Sequence, residues 1–220
     1  MSGAAERLPR GRHRLSREDV TRSQRERLLT AAAVVTAERG YDSTTVADIL
    51  ADAGVGRETF YELFEDRRDC VLAAHQALLD DLIEHVQSAY AGPGEWVERC
   101  RATIRTLLDW FAADPAAGRF LLVSLPAVGP EFHERFEAGF DRLVAVIDAG
   151  LDPDLPEPDP LPATSLAVGA AISRVYAEVA ADRTDHLPAL LPYLTYEVLV
   201  PFLGEAAARD AALGRVPQAG

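Results

Sequence analysis

The sequence predicts an all-α protein: an N-terminal three-helix domain of helix-turn-helix form, followed by a larger helical domain. Three observations carry that expectation. Apolar residues recur at helical spacing through most of the 220 residues, and strand-like alternation is absent. Glycines, prolines and capping residues cut this pattern into short helices near the N-terminus and longer ones after it. The charge is segregated. Residues 1–68 hold 12 of the 22 basic and 12 of the 35 acidic residues, a balance of zero, and the remainder holds 10 basic against 23 acidic, which is the whole formal charge of -13. The first 30 residues alone carry eight Arg against four acids. A basic start can sit on phosphates while an acidic body keeps the molecule soluble.

Taken in order, residues 1–21 read as a flexible basic arm. Ser23 and Glu26 have capping-box spacing and open a first helix over 23–39, with Leu28, Leu29, Ala32, Val35 and Thr36 facing inward and Gly40 ending it. Thr45, with Asp48 three residues on, caps a second helix whose apolar stripe is Val46, Ile49, Leu50 and Ala53, stopped by Gly54. A third helix follows over 57–64, with Val55 and Phe60 at hydrophobic-staple spacing. Asp66 caps a fourth over 67–89. Further helices are read at 95–112, 116–125, 130–151, 163–181 and 188–208. Five prolines and four acids between Asp152 and Pro162 make that stretch a solvated crossover. The domains so read are 1–21 (arm), 22–68 (helix-turn-helix), 69–210 (ligand and dimer domain) and 211–220 (tail).

Two short helices joined by Gly54-Val55-Gly56 form the unit that pushes its second helix into a DNA major groove. The residues of that helix free to reach bases are Arg57, Glu58, Thr59, Tyr61 and Glu62, with Phe60, Leu63 and Phe64 turned inward. Arg57 suits a bidentate contact to guanine. Thr59 can reach a phosphate or a thymine methyl, Tyr61 a phosphate oxygen, and Arg67 stands at the next helix's start, where backbone N–H groups also favour phosphate. Glu58 and Glu62 either accept from a cytosine amino group and penalise wrong sequences, or are simply solvated helix formers. Arg10, Arg12 and Arg14 are candidates for minor-groove or phosphate contact from the arm.

The runs Gly40-Tyr41-Asp42-Ser43-Thr44-Thr45-Val46-Ala47-Asp48-Ile49 and Ala53-Gly54-Val55-Gly56-Arg57-Glu58-Thr59-Phe60-Tyr61-Glu62-Leu63-Phe64-Glu65-Asp66-Arg67 resemble the signature of the TetR (tetracycline-repressor) family, over about Ser23 to Leu72. The resemblance adds Thr44, Thr45 and Gly56 to the residues expected at DNA. It implies an all-helical homodimer of about nine helices that binds double-stranded operator DNA, paired through the helices at 163–181 and 188–208, with a C-terminal domain that takes a small-molecule effector and releases DNA. It also implies repression, the family's usual mode. This chain departs from the family at Gly56, where Ser is common, and at Arg67, where Lys is usual.

Beyond Leu72 the sequence is less specific. Ala167, Gly169, Ala170 and Ala171 permit close helix approach, and the last helix is apolar over Leu190, Leu191, Leu194, Val198, Leu199, Phe202 and Leu203. The candidate pocket residues are Trp110, Phe111, Phe120, His133, Phe136, Phe140, Arg174 and Tyr176. Arg174 either anchors an anion or pairs with Glu178 one turn on. His75, like His133, is a packed residue or a ligand contact. No spacing points to a metal site, a cofactor, a nucleophile with its base, or a phosphate loop, so an enzyme is not expected. No apolar run approaches the ~20 residues of a membrane span and no secretory leader is evident, which places the protein in the cytoplasm without a membrane partner. The rival reading is a regulator without an inducer, switched by a protein partner or by oxidation of Cys70 or Cys100. It would lack the helical cavity of several hundred Å³ that a ligand-responsive regulator needs.

Overall fold

A computed structural model describes residues 16–124, 128–149, 151 and 163–215. Among these there are nine α-helices and no strand: α1 Arg17–Arg39, α2 Val46–Ala53, α3 Arg57–Leu63, α4 Arg67–Tyr90, α5 Trp96–Ala113, α6 Pro115–Arg119, α7 Pro130–Ala149, α8 Ala163–Ala180 and α9 Leu191–Ala212. The arm arginines Arg10, Arg12 and Arg14, the crossover at 152–162 and the tail beyond Arg215 lie outside the described residues.

The helix ends follow their capping chemistry. Thr45 and Asp48 form the expected reciprocal box at α2, and the Asp66 carboxylate accepts from the Asp69 N–H at the start of α4. The start of α1 is a correction. Ser16 and Asp19 form the capping box, so the helix begins at Arg17 and takes in residues 17–21, read from the sequence as arm. Nothing between Arg17 and Ser23 breaks a helix, so the upstream box wins. The stretch read as one helix over 116–125 is instead the short α6 followed by a π-helical turn, Phe120–Ser124. The last helix is also split. Thr184–Leu190 is 3₁₀, and α9 breaks at Gly204, whose φ of 74° only glycine adopts readily.

Three apolar cores stack along the molecule. The first gathers Leu28, Ile49, Phe60, Phe64 and Val71 from α1–α4, together with Phe120 and Phe132 from beyond α5. The three-helix head is therefore packed directly onto the helical body. The second core joins Leu82 and Ile83 of α4 to Ile104, Leu108 and Phe111 of α5, Leu143 of α7 and Val175 and Val179 of α8. The third, at the far end, holds Trp96, Cys100, Leu199 and Phe202. There the Trp96 indole donates to the Tyr90 hydroxyl at 3.0 Å, and that hydroxyl donates to the Ile147 carbonyl at 3.0 Å. Buried in this way, both ring donors are satisfied.

The stretch Thr184–Ala212 does reach the length and apolar composition of a membrane span, contrary to the sequence reading, and 33% of its most apolar window is buried. Leu194, Leu199 and Phe202 face the body, and Tyr193 stands 53% exposed. On α8 the exposed positions Leu166, Ala170, Ser173 and Ala177 share one face at helical spacing.

Candidate DNA interface and ligand cavity

The α2–α3 unit is held by arginines that the sequence reading did not single out. The Arg27 guanidinium, on α1, donates to the carbonyls of Ala53 and, at 2.8 Å, Gly54. These are carbonyls at the end of α2 that have no helical partner, so one side chain fixes the turn between the two helices. Arg39 pairs with Asp48 at 2.6 Å and ties the end of α1 to the start of α2. The Thr45 hydroxyl and backbone N–H, together with Arg39, hold the Asp48 carboxyl below its usual range. Gly54 itself sits at φ 59°, ψ 38°, and a Cβ there would lie 2.8 Å from the Arg27 guanidinium. Gly54→Ala is expected to cost about 1–2 kcal/mol from the left-handed backbone alone, read as a lower midpoint in chemical denaturation; an unchanged midpoint would remove the turn from the list of what specifies this head.

On this frame α3 presents Arg57, Glu58, Tyr61 and Glu62 outward, with Thr59 half-buried and Phe60 fully buried. For Arg57, Glu58, Tyr61, Glu62 and Phe60 that is the orientation read from the sequence, whereas Thr59 is less exposed and Leu63 less buried than read. The Tyr61 ring stands edge-on against Phe60 at 5.3 Å, so an exposed tyrosine is braced from behind. Gly56 caps α3 without a side-chain hydrogen bond.

Two of the side chains expected at DNA are engaged within the head itself. Thr44 is fully buried, and its hydroxyl donates to the Gly40 carbonyl at 2.9 Å, so its side chain closes the α1–α2 turn. Arg67 lies over the Tyr41 ring at 4.2 Å and donates to the carbonyls of Tyr41, at 3.0 Å, and Thr44. Its charge is engaged in that same turn. The start of α4 is moreover lined by the carboxylates of Asp66 and Asp69, which occupy N–H groups that a phosphate would need. Thr45 is exposed and its hydroxyl donates to Asp48 at 2.6 Å.

In the body, two adjoining apolar cavities run between α4, α5, α7 and α8. The first, about 40 Å³, is walled by His75, Leu79, Phe111, Leu121, Phe136 and Phe140, among others. The second, about 70 Å³, extends towards Trp96, Cys100, Ala167 and Phe202. Leu107, Leu143 and Ile172 belong to both and form the partition. A surface groove between α7 and α8, lined by His133, Ser173 and Tyr176, shares Leu122, Phe136, Phe140 and Ile172 with the first cavity. The space in these two cavities falls short of the several hundred Å³ anticipated for a ligand-responsive regulator, so volume alone does not favour that reading over a regulator without an inducer.

Of the eight aromatic and polar pocket candidates, Phe111, Phe136 and Phe140 line the first cavity, and His133 and Tyr176 stand with Phe136 and Phe140 at the groove. The other three are placed elsewhere. Trp110 is half-buried at the edge of the second core and donates to Asp81 at 2.8 Å. Phe120 is fully buried in the core shared with the head. Arg174 pairs with Glu178 at 3.1 Å, and Glu178 also binds Arg183 at 2.8 Å. The wall of the first cavity is otherwise apolar, and His75, which the sequence left undecided, supplies its polar atom. His75 is 2% exposed, and its Nδ1 has no hydrogen-bond partner. Burial, reinforced by the Arg135 charge, pushes it down to about 4, so it is neutral at pH 7. Burial pushes the thiols of Cys70 and Cys100 up to about 12, and they sit in separate cores. Neither is a reactive thiolate at neutral pH, which weighs against an oxidation switch.

The sequence relatives and structural neighbours agree with this geometry. Residues 28–74 match the family model described as bacterial regulatory proteins, tetR family. The chain is 28% identical over 153 residues to the HTH-type transcriptional activator FasR of Mycolicibacterium smegmatis, spanning 67% of this chain and 70% of that one. Its fold is similar to the fatty acid degradation regulator FadR from Bacillus halodurans, with a TM-score of 0.70 at 19% identity over 80% of this chain and 97% of that one. It is also similar to FadR from Bacillus subtilis, solved in complex with stearoyl-CoA, with a TM-score of 0.66 at 19% identity over 81% and 98% of the two chains. With the helix-turn-helix head, its capped turn and its outward-facing third helix in place, residues 28–74 form a head of the tetR family of bacterial regulatory proteins.

Proposed function

We propose that this protein is a cytoplasmic, ligand-released repressor that binds a palindromic operator as a homodimer, and that its effector is a long aliphatic acyl compound. The observation that carries the effector is the line of apolar space from the α7–α8 groove through both cavities. The walls of the two cavities carry no Asp, Glu, Lys or Arg, which suits a hydrocarbon chain and does not suit a compact polar molecule. A chain lying along it must displace Leu107, Leu143 and Ile172, and a close-packed interior transmits such a displacement. The B. subtilis neighbour, described in complex with stearoyl-CoA, supports the same ligand class.

The dimer is supported by the exposed face of α8, with Leu166, Ala170, Ser173 and Ala177, and by the exposed Tyr193 of α9, small and apolar positions that a second copy could cover. Two reading heads about 34–36 Å apart would then meet successive major-groove faces. A ligand that favours another separation releases the DNA. Repression needs only that the dimer cover a promoter.

Affinity selection of sheared genomic DNA, with footprinting of the retained fragments, tests the reading. The expected result is a palindrome with half-sites one helical turn apart, released by hexadecanoyl-CoA. Arg57→Ala is expected to weaken binding to that site by about 1–3 kcal/mol and to relax its preference at one base pair. An asymmetric site, or complexes indifferent to acyl compounds, would overturn the dimeric operator or the effector respectively.

A further inference from the structure

We infer that His75 reads a neutral oxygen on the effector, a carbonyl or a hydroxyl, and so makes the cavity selective for an oxygenated chain over a plain hydrocarbon of the same length. The inference deepens the acyl reading above and rests on it.

His75 belongs to the wall of the first cavity and is the polar residue of that wall; the rest are leucines, phenylalanines, Gly139, Ile172 and Val175. The ring touches Phe132 edge-on at 5.4 Å, and Phe132 gives it nothing to hydrogen-bond. Its Nδ1 is shielded from water and bonded to no protein atom. Buried polar atoms are nearly always paired, by protein or by a bound molecule, because water was given up to bury them. A hydrocarbon passing His75 leaves that nitrogen unpaired in the complex as well. An oxygen within reach of it pairs it.

The neutrality of the ring decides what kind of oxygen. Arg135 is the charged group that bears on His75, and in this apolar wall the imidazole stays uncharged. A neutral imidazole offers one N–H and one lone pair, which match a carbonyl acceptor or a hydroxyl that both donates and accepts. It offers no charge to balance a carboxylate. The selectivity has a simple origin: a site whose buried polar group is matched by the ligand rejects the analogue lacking that group.

Titration calorimetry on the full-length protein, and on His75→Leu, tests this with three probes. Hexadecanoyl-CoA has the thioester carbonyl. S-hexadecyl-CoA is the thioether of the same length without it. 3-Hydroxyhexadecanoyl-CoA adds a hydroxyl. The wild-type protein is expected to bind the thioester at least about tenfold more tightly than the thioether. His75→Leu is expected to bring the two within about twofold, chiefly by gaining affinity for the thioether. If instead the hydroxyl confers the preference in wild type and loses it in the variant, the oxygen read is the chain hydroxyl, and the inference holds. Thioester, thioether and hydroxyacyl probes binding wild type alike would overturn it while leaving the acyl reading intact, as would a preference undiminished in His75→Leu. No binding by any of the three removes the acyl reading and this inference with it.

Discussion

Phe60→Ala is expected to destabilise the protein by about 3–5 kcal/mol and to abolish specific DNA binding. Phe60 is fully buried, and its ring meets Tyr61 edge-on at 5.3 Å and Phe64 at 5.6 Å in a core closed by Leu28, Ile49 and Val71. A helix as short as α3, Arg57–Leu63, has little stability of its own, so tertiary packing of this one ring keeps it formed. The loss is a large share of the roughly 5–15 kcal/mol by which a domain is stable. It falls on the element that carries Arg57 and Tyr61. Calorimetric melting and a footprint on the selected operator read the two effects. Phe60→Leu, which refills most of the volume, should recover much of both. A Phe60→Ala protein with unchanged melting and an intact footprint would show that α3 is held by something other than this core.

The head was legible in the sequence because its signals are local. Thr45 with Asp48, Gly54 and Asp66 each do in the structure what their spacing predicts. Where the sequence offered two equivalent signals it could not choose. Ser16–Asp19 and Ser23–Glu26 have the same box spacing, and only the absence of a break between them favours the first. Tertiary partners were harder still. Arg27, Arg39 and Arg67 look alike in a basic N-terminus, yet each is committed to a particular turn or helix end that sequence spacing does not reveal. Thr44 and Thr45 are neighbours with opposite fates, one sealed under the turn and one capping α2.

The cavity was the least legible part. Adjacent positions on a helix point about 100° apart, so of Trp110 and Phe111 only one can face inward, and it is Phe111. Large aromatics were a reasonable place to look, but a cavity is space left by the interdigitation of several helices. Its walls here are mostly Leu, Ile and Val, residues indistinguishable in sequence from ordinary core. The polar exception in the first cavity is a histidine of α4, flanked by Leu72, Ala74, Leu78 and Leu79.

That histidine gives the protein a specific sensitivity to mild acid. His75 binds its proton near 4 in the folded protein and near 6.5 in the unfolded chain. Between those values the unfolded chain takes up a proton that the folded protein refuses, so unfolding gains. Stability is therefore undiminished above 6.5, declines as pH falls below it, and has lost its full increment at 4. The 2.5-unit gap corresponds to about 3 kcal/mol. Asp19, Asp48 and Glu178, held below the usual carboxylate range chiefly by hydrogen bonds from Ser16, Thr45 and Arg183 respectively, act in a lower window: their contribution is lost as pH falls through their depressed values. The difference between wild type and His75→Leu isolates the histidine. Removing an unpaired buried nitrogen should leave the variant no less stable at pH 7.5. Urea denaturation at steps from pH 7.5 to 4 should then show the variant's advantage growing by about 3 kcal/mol, most of it below pH 6. Parallel curves for the two proteins would mean that His75 takes up its proton inside the fold as readily as outside it. In that case the apolar wall is wetter than its residues imply, and the uncharged ring on which oxygen selectivity depends is lost with it.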